Sequence, residues 1–184
     1  MDKIIIGAGG FAEELSVLTG IKKCYVSDGF DGKYFLSNIK KPCKAIIAIA
    51  FPKYRENIFN EYDFEYFGYI HNSALVYGTV PLSDIILAPQ SIITTNVKIG
   101  KQCQLHTRAV LSHSVEVGDF FTALPNVFVA GNVIIGDRVF IGAGTSVREK
   151  TKICSDVIIG MGSVVIKDIT EQGTYIGNPL RKIK

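Results

Sequence analysis

The sequence predicts a mixed fold in which a small α/β half-domain precedes a three-sided parallel β-helix and a short C-terminal tail. Two observations carry this prediction. A branched aliphatic residue recurs at every sixth position from Leu87 to Val165, and only Ala123 breaks the series. A glycine-rich turn at residues 7–12 stands between an apolar run and a helical pattern. We therefore divide the chain into an N-terminal part, residues 1–70, and a β-helix with its tail, residues 71–184.

The N-terminal part contains the elements of half a dinucleotide-binding fold. A strand at residues 3–6, the turn GAGGFA and a helix through Leu18 match the G-x-G-x-x-G/A pattern in its proper context. A second strand ends in Asp28, where such folds place a ribose-binding carboxylate. Strands at 45–49 and 64–67 and a helix at 53–60 complete the region, so NAD has no second half-sheet to occupy. The turn suits the phosphates of a smaller nucleotide, and a packing turn that binds nothing is the open alternative.

The six-residue period explains the β-helix. Six is even, so on an extended backbone all the aliphatic positions can point to one side. Glycines that follow the aliphatic residue are spaced by eighteen, which is three sixes: Gly100, Gly118 and Gly136, then Gly142 and Gly160. This predicts coils of three strands and three corners, with glycine adopting corner conformations that side chains resist. Leu75 lies on the same frame but Pro81 spoils the next position, so we expect an irregular first coil. The loss of bulk at Ala123 indicates either space for a site or a tolerated bend.

Composition excludes several classes of protein. The net charge is +3 with scattered lysines and arginines, which does not favour nucleic-acid binding. No apolar run is long enough for a signal-peptide core or a membrane span, so we expect a cytoplasmic protein. The four cysteines have no CxxC spacing, which indicates neither a zinc site nor a redox pair.

The repeat resembles the left-handed parallel β-helix of hexapeptide acyltransferases. The opening IIIGAGGFAEEL, the repeat and the closing GTYIGNPLRKI together resemble the sugar acyltransferases typified by sialic acid O-acetyltransferases and by bacillosamine and perosamine N-acetyltransferases. The resemblance covers essentially the whole chain. It implies acetyl-CoA as co-substrate, no metal, and a homotrimer with the coenzyme between adjacent prisms.

The half-domain favours a nucleotide-linked amino sugar as acceptor, with direct transfer of the acetyl group to its amine. Sialic acid O-acetylation is the nearest alternative. A trimeric scaffold without catalysis is a more remote alternative. A zinc-dependent carbonic anhydrase is also remote, because His106 and His113 are seven residues apart, whereas resembling members of that class have two histidines five apart. The acceptor sugar, its nucleotide and the acyl chain length are not predicted.

The resemblance places His113, in the segment VLSHSVEVG, at the position of the general base. Gly131 follows eighteen residues later, one coil along the same face, and we predict that its N–H donates to the carbonyl oxygen in the tetrahedral intermediate. The other implied contacts are with coenzyme at Ala130, Gly131, Ala143, Gly160, Pro179 and Arg181, and with acceptor at Gly7, Gly9, Gly10, Phe11, Asp28 and His106.

Three positions depart from the family pattern. Ser114 stands where many relatives have a glutamate beside the histidine, Thr122 replaces a second histidine, and His106 replaces a frequent asparagine. Glu116, Asp119 or a backbone carbonyl are the alternatives for orienting His113.

Overall fold

A computed structural model of the chain describes residues 1–21, 24–25, 36, 39, 43–80 and 83–184. The predictions that involve Asp28 and Pro81 therefore lie outside the described residues. The described N-terminal half-domain consists of β1 (Asp2–Ile6), α1 (Gly10–Thr19), β2 (Cys24–Tyr25), β3 (Cys43–Ile47), α2 (Pro52–Glu61) and β4 (Glu65–Tyr66). Its four strands form a parallel sheet of strand order β2-β1-β3-β4. None of the described helices has the length and apolarity needed to cross a bilayer.

The rest of the chain forms a parallel β-helix of about seven turns, a three-sided prism that matches the predicted left-handed β-helix. Each side is a sheet whose strands are eighteen residues apart in most coils. We name the sides by what lies on them. The covered face, on which the half-domain packs, consists of β5 (Tyr69–Ile70), β7 (Ile86–Leu87), β10 (Gln104–Leu105), β13 (Thr122–Ala123), β16 (Phe140–Ile141), β19 (Val157–Ile159), β21 (Gly173–Ile176) and β22 (Arg181–Lys182).

The other two sides lack that cover from the described half-domain. The apolar face consists of β6 (Leu75–Val76), β8 (Ile92–Ile93), β11 (Val110–Leu111), β14 (Phe128–Val129), β17 (Ser146–Val147) and β20 (Val164–Val165). The charged face consists of β9 (Lys98–Ile99), β12 (Glu116–Val117), β15 (Ile134–Ile135) and β18 (Lys152–Ile153). The chain visits the covered, apolar and charged faces in that order, so each coil has three corners.

The predicted aliphatic ladder forms the core of the prism. Leu105, Ala123 and Ile141 are in register on neighbouring strands of the covered face, and all are fully buried. At the break, Ala123 keeps the regular register, and Phe121, two positions earlier, is fully buried in the same core cluster. A large residue before a small one replaces the small-before-large order of the other coils, so the core keeps its volume.

The first coil differs from the prediction in its register. Val76, not Leu75, pairs with the inward residue Ile93, seventeen residues away instead of eighteen. Leu75 pairs with Ile92 on the outside and is 46% exposed. A shift of one residue moves a strand's side chains to the opposite face, which is why the frame fails for Leu75.

The periodic glycines are at the predicted corners, but the predicted reason for them is wrong. Gly100, Gly118, Gly136, Gly142 and Gly160 do not have positive φ. A Cβ on Gly142 would lie 2.7 Å from the backbone carbon of Gly160, one coil further, so stacking of the coils requires glycine there. The left-handed corner conformation recurs every sixth residue and is adopted mostly by other residue types, at Gln90, Asn96, Gln102, Arg108, Ser114, Phe120, Asn126, Asn132, Arg138, Lys150 and Asp156.

Candidate active site

His113 and Gly131 occupy equivalent positions in successive coils, at the corner between the apolar and charged faces. The N–H of Asn132 donates to the carbonyl oxygen of His113 at 3.0 Å, which holds the two coils together. A Cβ on Gly131 would lie 2.5 Å from Nε2 of His113, so the imidazole lies directly against the glycine Cα. Within the described chain the Gly131 N–H donates no backbone hydrogen bond. An exposed imidazole and a main-chain donor are therefore side by side.

The His113 side chain has no hydrogen-bond partner among the residues that the structure describes. Glu116 forms an ion pair with Lys98 at 2.7 Å, and Asp119 accepts a hydrogen bond from the Lys101 amide at 3.0 Å. Neither carboxylate, and no backbone carbonyl, orients the imidazole within the described part of the chain. The packing against Gly131 is what restricts the ring.

A cavity of about 290 Å³ lies further along the prism, beneath the C-terminal hairpin β21–β22. Lys167, which lines it, occupies the position equivalent to His113 and Gly131 two coils beyond Gly131, or on the order of 10 Å along the prism. The walls combine aliphatic and aromatic groups with two lysines and one carboxylate, and they consist of Ile166, Lys167, Asp168, Ile169, Tyr175, Pro179, Leu180 and Lys182. Such a lining suits a ligand with a planar ring and an anionic group.

The glycine turn has two kinds of glycine. Gly7 has a φ of +143°, and a Cβ there would lie 2.7 Å from the carbonyl oxygen of Ala48, so the fold itself requires glycine. A Cβ on Gly9 or Gly10 would meet nothing within 4 Å, and neither has positive φ. Packing within the described chain does not explain these two glycines, whereas close approach of a ligand to the N-terminus of α1 would.

Phe11 and His106, both predicted acceptor contacts, lie against each other. Their ring centroids are 4.2 Å apart, and His106 is buried where the glycine turn meets the corner between the covered and apolar faces. Burial, with a smaller contribution from the Arg55 charge, lowers the pKa of His106 to about 4. Its Nε2 atom is buried without a hydrogen-bond partner among the described residues.

The other predicted residues are distributed over the prism. Ala143 and Gly160 lie at the corner between the covered and apolar faces, as His106 does, and not beside His113. Ala130 precedes Gly131 at the edge of the apolar face. Pro179 lines the cavity under the hairpin, but Arg181, exposed in β22, does not.

Sequence reasoning missed a buried polar seam between the half-domain and the prism. Arg55, Gln104 and Thr122 are fully buried there, and burial lowers the pKa of Arg55 to about 9. Gln104 Nε2 donates to the carbonyl oxygen of Ile47 at 2.7 Å, and the Thr122 hydroxyl donates to that of Ala50 at 2.7 Å. Polar residues at outward positions of the covered face were the only available signal, and their partners could not be read from spacing. In the described ranges, no three histidine, cysteine, aspartate or glutamate side chains converge on a metal position.

The fold defines a class: an α/β half-domain joined to a left-handed β-helix of hexapeptide repeats. No protein-family model matches the chain. Its fold is that of PerB from Caulobacter crescentus, solved in complex with CoA and GDP-perosamine, with a TM-score of 0.83 at 23% identity over 100% of this chain and 98% of that one. It is also that of WeeI from Acinetobacter baumannii AYE, with a TM-score of 0.87 at 24% identity over 98% and 99%. The predicted resemblance is thus confirmed for the fold.

Among curated sequences, the chain is similar to the GDP-perosamine N-acetyltransferase of Escherichia coli O157:H7. The two are 31% identical over 121 residues, which are 62% of this chain and 54% of that protein. The chain spans between 21% and 55% of the length of the first four curated relatives that it matches.

Proposed function

We propose that this protein is an acetyl-CoA-dependent acetyltransferase that acetylates the amine of a nucleotide-linked amino sugar. The observation that carries the proposal is the contact between the exposed His113 imidazole and Gly131, which is buried one coil further along the same corner. The likeness to a GDP-perosamine N-acetyltransferase supports an amine on a nucleotide-linked sugar as the acceptor.

The reaction transfers the acetyl group directly. The amine nitrogen attacks the thioester carbonyl carbon while the exposed His113 imidazole takes the proton that the nitrogen loses. The negative charge that develops on the carbonyl oxygen is stabilised by the Gly131 N–H. When the tetrahedral intermediate collapses, the C–S bond breaks and the proton passes from His113 to the leaving thiolate. The products are the N-acetylated sugar nucleotide and free CoA.

The coenzyme would lie along the His113 corner, past Glu149, which occupies the equivalent position in the coil between Gly131 and Lys167. The acetyl group would lie between His113 and Gly131 next to Ala130, and the chain of the coenzyme would run toward the cavity under the hairpin. There Tyr175 and Pro179 offer apolar surface to a ring, and Lys167 offers positive charge to phosphate. Lys182 lines the same cavity and is paired with Glu171 at 2.8 Å. Arg181 is exposed in the same hairpin and adds charge at its rim.

The acceptor's nucleotide would bind at the glycine turn. Gly9 and Gly10 leave the N-terminus of α1 open to phosphate. Phe11 and His106 form the wall of the turn toward the prism. His113 lies at another corner of the same prism, so one acceptor molecule bridges the two positions only if they come from adjacent copies of the chain.

The apolar face supports a homotrimer in which this bridging occurs. Five of its six outward strand residues are apolar, namely Leu75, Ile92, Val110, Phe128 and Val164, with Ser146 the exception. The charged face instead presents Lys98, Glu116 and Lys152 at equivalent positions, with Ile134 as its one apolar outward residue. Contact through the apolar face would bring the His113 corner of one copy toward the His106, Ala143 and Gly160 corner of the next.

Two equally exposed residues give a matched test of this assembly. Phe128 on the apolar face and Ile134 on the charged face are 45% and 44% exposed. We expect Phe128→Asp to give monomers in sedimentation velocity and to abolish turnover, and Ile134→Asp to leave the trimer intact. A wild-type protein that sediments as a monomer, or a trimer that survives Phe128→Asp, would remove this part of the proposal.

The activity itself is tested with acetyl-CoA and a panel of nucleotide-linked amino sugars, with sialic acid included. Thiol release and the mass of the acetylated product are measured. We expect N-acetylation of one amino sugar nucleotide, and a 10²- to 10⁴-fold lower kcat for His113→Asn. The control His71→Asn, at the start of the prism, should be within about twofold of wild type. Acetylation of sialic acid alone would show that the acceptor is not a nucleotide-linked amino sugar. Full turnover by His113→Asn would show that His113 is not the general base.

A further inference from the structure

All three guanidinium nitrogen atoms of Arg55, on α2, donate hydrogen bonds in the seam between the half-domain and the prism. Its side chain is fully buried. Toward the half-domain, Nη1 donates to the carbonyl oxygens of Ile49 at 2.6 Å and Ala50 at 3.0 Å. Toward the prism, Nε donates to the carbonyl oxygen of Gln102 at 2.9 Å. Nη2 donates to the carbonyl oxygens of Phe120 at 2.7 Å and Phe121 at 3.1 Å and to the hydroxyl oxygen of Thr122 at 2.9 Å.

All these partners are carbonyl or hydroxyl oxygens, and no carboxylate pairs with Arg55 in the described residues. A buried charge without a counter-ion is expensive, and an apolar side chain of similar size often gives a more stable core. What the guanidinium provides that an apolar residue lacks is a rigid planar set of donors. The presence of arginine at this position therefore points to a role in geometry.

The geometry that Arg55 fixes leads directly to the glycine turn. Ile49 and Ala50, whose carbonyls it holds, follow the central strand β3. Ala48 just before them donates to Ile6 O at 2.8 Å, and its carbonyl oxygen lies against Gly7. The carboxyl end of β3, where parallel α/β sheets bind ligands, is thus tied through Arg55 to the coil that contains Phe120 and Phe121.

We propose that Arg55 is a positioning residue that sets where the glycine turn, and with it the nucleotide of the acceptor, lies relative to the prism. The inference rests on the proposed function for its ligand. It assigns Arg55 no contact with substrate. Its consequence is a defined distance between the nucleotide and the prism corners, which a rigid seam maintains and a loose one does not.

The test compares Arg55→Lys with Arg138→Lys. Lysine at position 55 keeps the charge but loses the planar set of donors. Arg138, which lies in the prism, also contacts α2, through Glu56 at 3.1 Å. It is partly exposed, and its other ion pair, with Asp156 at 2.7 Å, lies within the prism. Far-UV circular dichroism tests whether both variants fold. If Arg55→Lys does not fold, Arg55→Met takes its place in the comparison.

Two readouts separate positioning from general destabilisation. Hydrogen exchange should accelerate at least tenfold at the amides of residues 7–12 and 48–50 in Arg55→Lys, but not at residues 113–131. The KM for the sugar nucleotide should rise at least tenfold, with the KM for acetyl-CoA within twofold, and Arg138→Lys should change neither. Unchanged exchange, or a parallel rise in both KM values, overturns the proposal.

The proposed function is tested separately by the wild-type protein. If wild type acetylates no acceptor, the proposed function fails, and calorimetric binding of GDP and UDP replaces KM in the comparison of Arg55→Lys with wild type. A tenfold loss of affinity for a nucleoside diphosphate then supports the positioning role. Equal affinities of wild type and Arg55→Lys, or no binding of either nucleotide to wild type, overturn it.

Discussion

The His113 corner and the glycine turn are both candidate binding surfaces, yet different contacts build them. At the corner, His113 and Gly131 are neighbours because parallel coils stack eighteen residues apart and share backbone hydrogen bonds. At the turn, Phe11 meets His106, and the seam beneath is built by side chains from distant segments, among them Arg55, which reaches 66 residues along the chain to Phe121.

This difference teaches where each surface is vulnerable. The shape of the His113 corner depends on the repeated core of the prism. We therefore expect substitutions that remove core volume, or that fill the space between coils, to disturb it. The position of the turn depends on buried polar contacts between distant segments, beside apolar packing that includes Ile86 of the prism. We therefore expect it to respond to changes in charge and hydrogen bonding as well as to loss of apolar volume. The four predictions that follow test this contrast.

The largest effect should come from the core of the prism. Leu111, fully buried just before the His113 corner, is expected to lose 2–5 kcal/mol of unfolding free energy when changed to alanine. Ile4→Ala in the half-domain should cost a similar amount, and because the seam joins the parts, both variants should unfold in one transition. Urea denaturation at fixed protein concentration, followed by circular dichroism and tyrosine fluorescence, measures this. A separate early transition in Ile4→Ala would show that the seam does not couple the two regions.

The seam should also make stability depend on pH through His106. Its pKa is about 4 in the folded protein against 6.5 as the ordinary value, so the unfolded chain binds the proton more readily. The stability it supports is complete above pH 6.5 and falls as the pH drops toward 4, by about 3 kcal/mol in full. His106→Asn should lose this dependence between pH 7 and pH 4.5, as urea midpoints will show. Identical pH profiles for the two proteins would contradict the burial of a neutral imidazole.

The contrast also decides what could be predicted from sequence. In a prism of in-register strands, a spacing of eighteen residues becomes adjacency in space, so the neighbourhood of His113 and Gly131 follows from counting. Their chemical roles stay predictions. The register shift in the first coil could not be predicted. Counting back from Leu87 in sixes reaches Leu75, which is aliphatic as expected, although the structure places Val76 inward instead.

The seam could not be predicted in the same way. Arg55 lies in an ordinary helical pattern, and nothing in the spacing of Gln104 or Thr122 names Ile47 and Ala50 as partners. Such contacts depend on how two separately patterned regions dock, which is a tertiary property. The reason for the corner glycines could not be predicted either. Close stacking of the coils and a positive φ both favour glycine, and only the coordinates distinguish these two causes.

A smaller effect is expected where coils stack most closely. A Cβ on Gly118 would lie 2.8 Å from the backbone of Gly136 and Asp137, with no flexible side chain alone able to relieve the contact. Gly118→Ala should therefore destabilise the protein by about 1–3 kcal/mol in urea denaturation. A change within experimental error would mean that the coils can separate at the corner, and that the glycine spacing has another cause.

The smallest effect is expected at Gly144, which provides the matched control. Gly144 has a φ of +69°, but a Cβ there would meet nothing within 4 Å, and equivalent corners hold Asn126 and Asn132 at a φ of 61°. Asparagine tolerates this conformation, and replacing glycine reduces the conformational freedom of the unfolded chain. Gly144→Asn should thus leave the unfolding free energy unchanged or raise it by up to about 1 kcal/mol. A loss above about 1 kcal/mol would mean that the left-handed backbone conformation itself selects glycine at position 144, in contrast to the close stacking that Gly118→Ala measures.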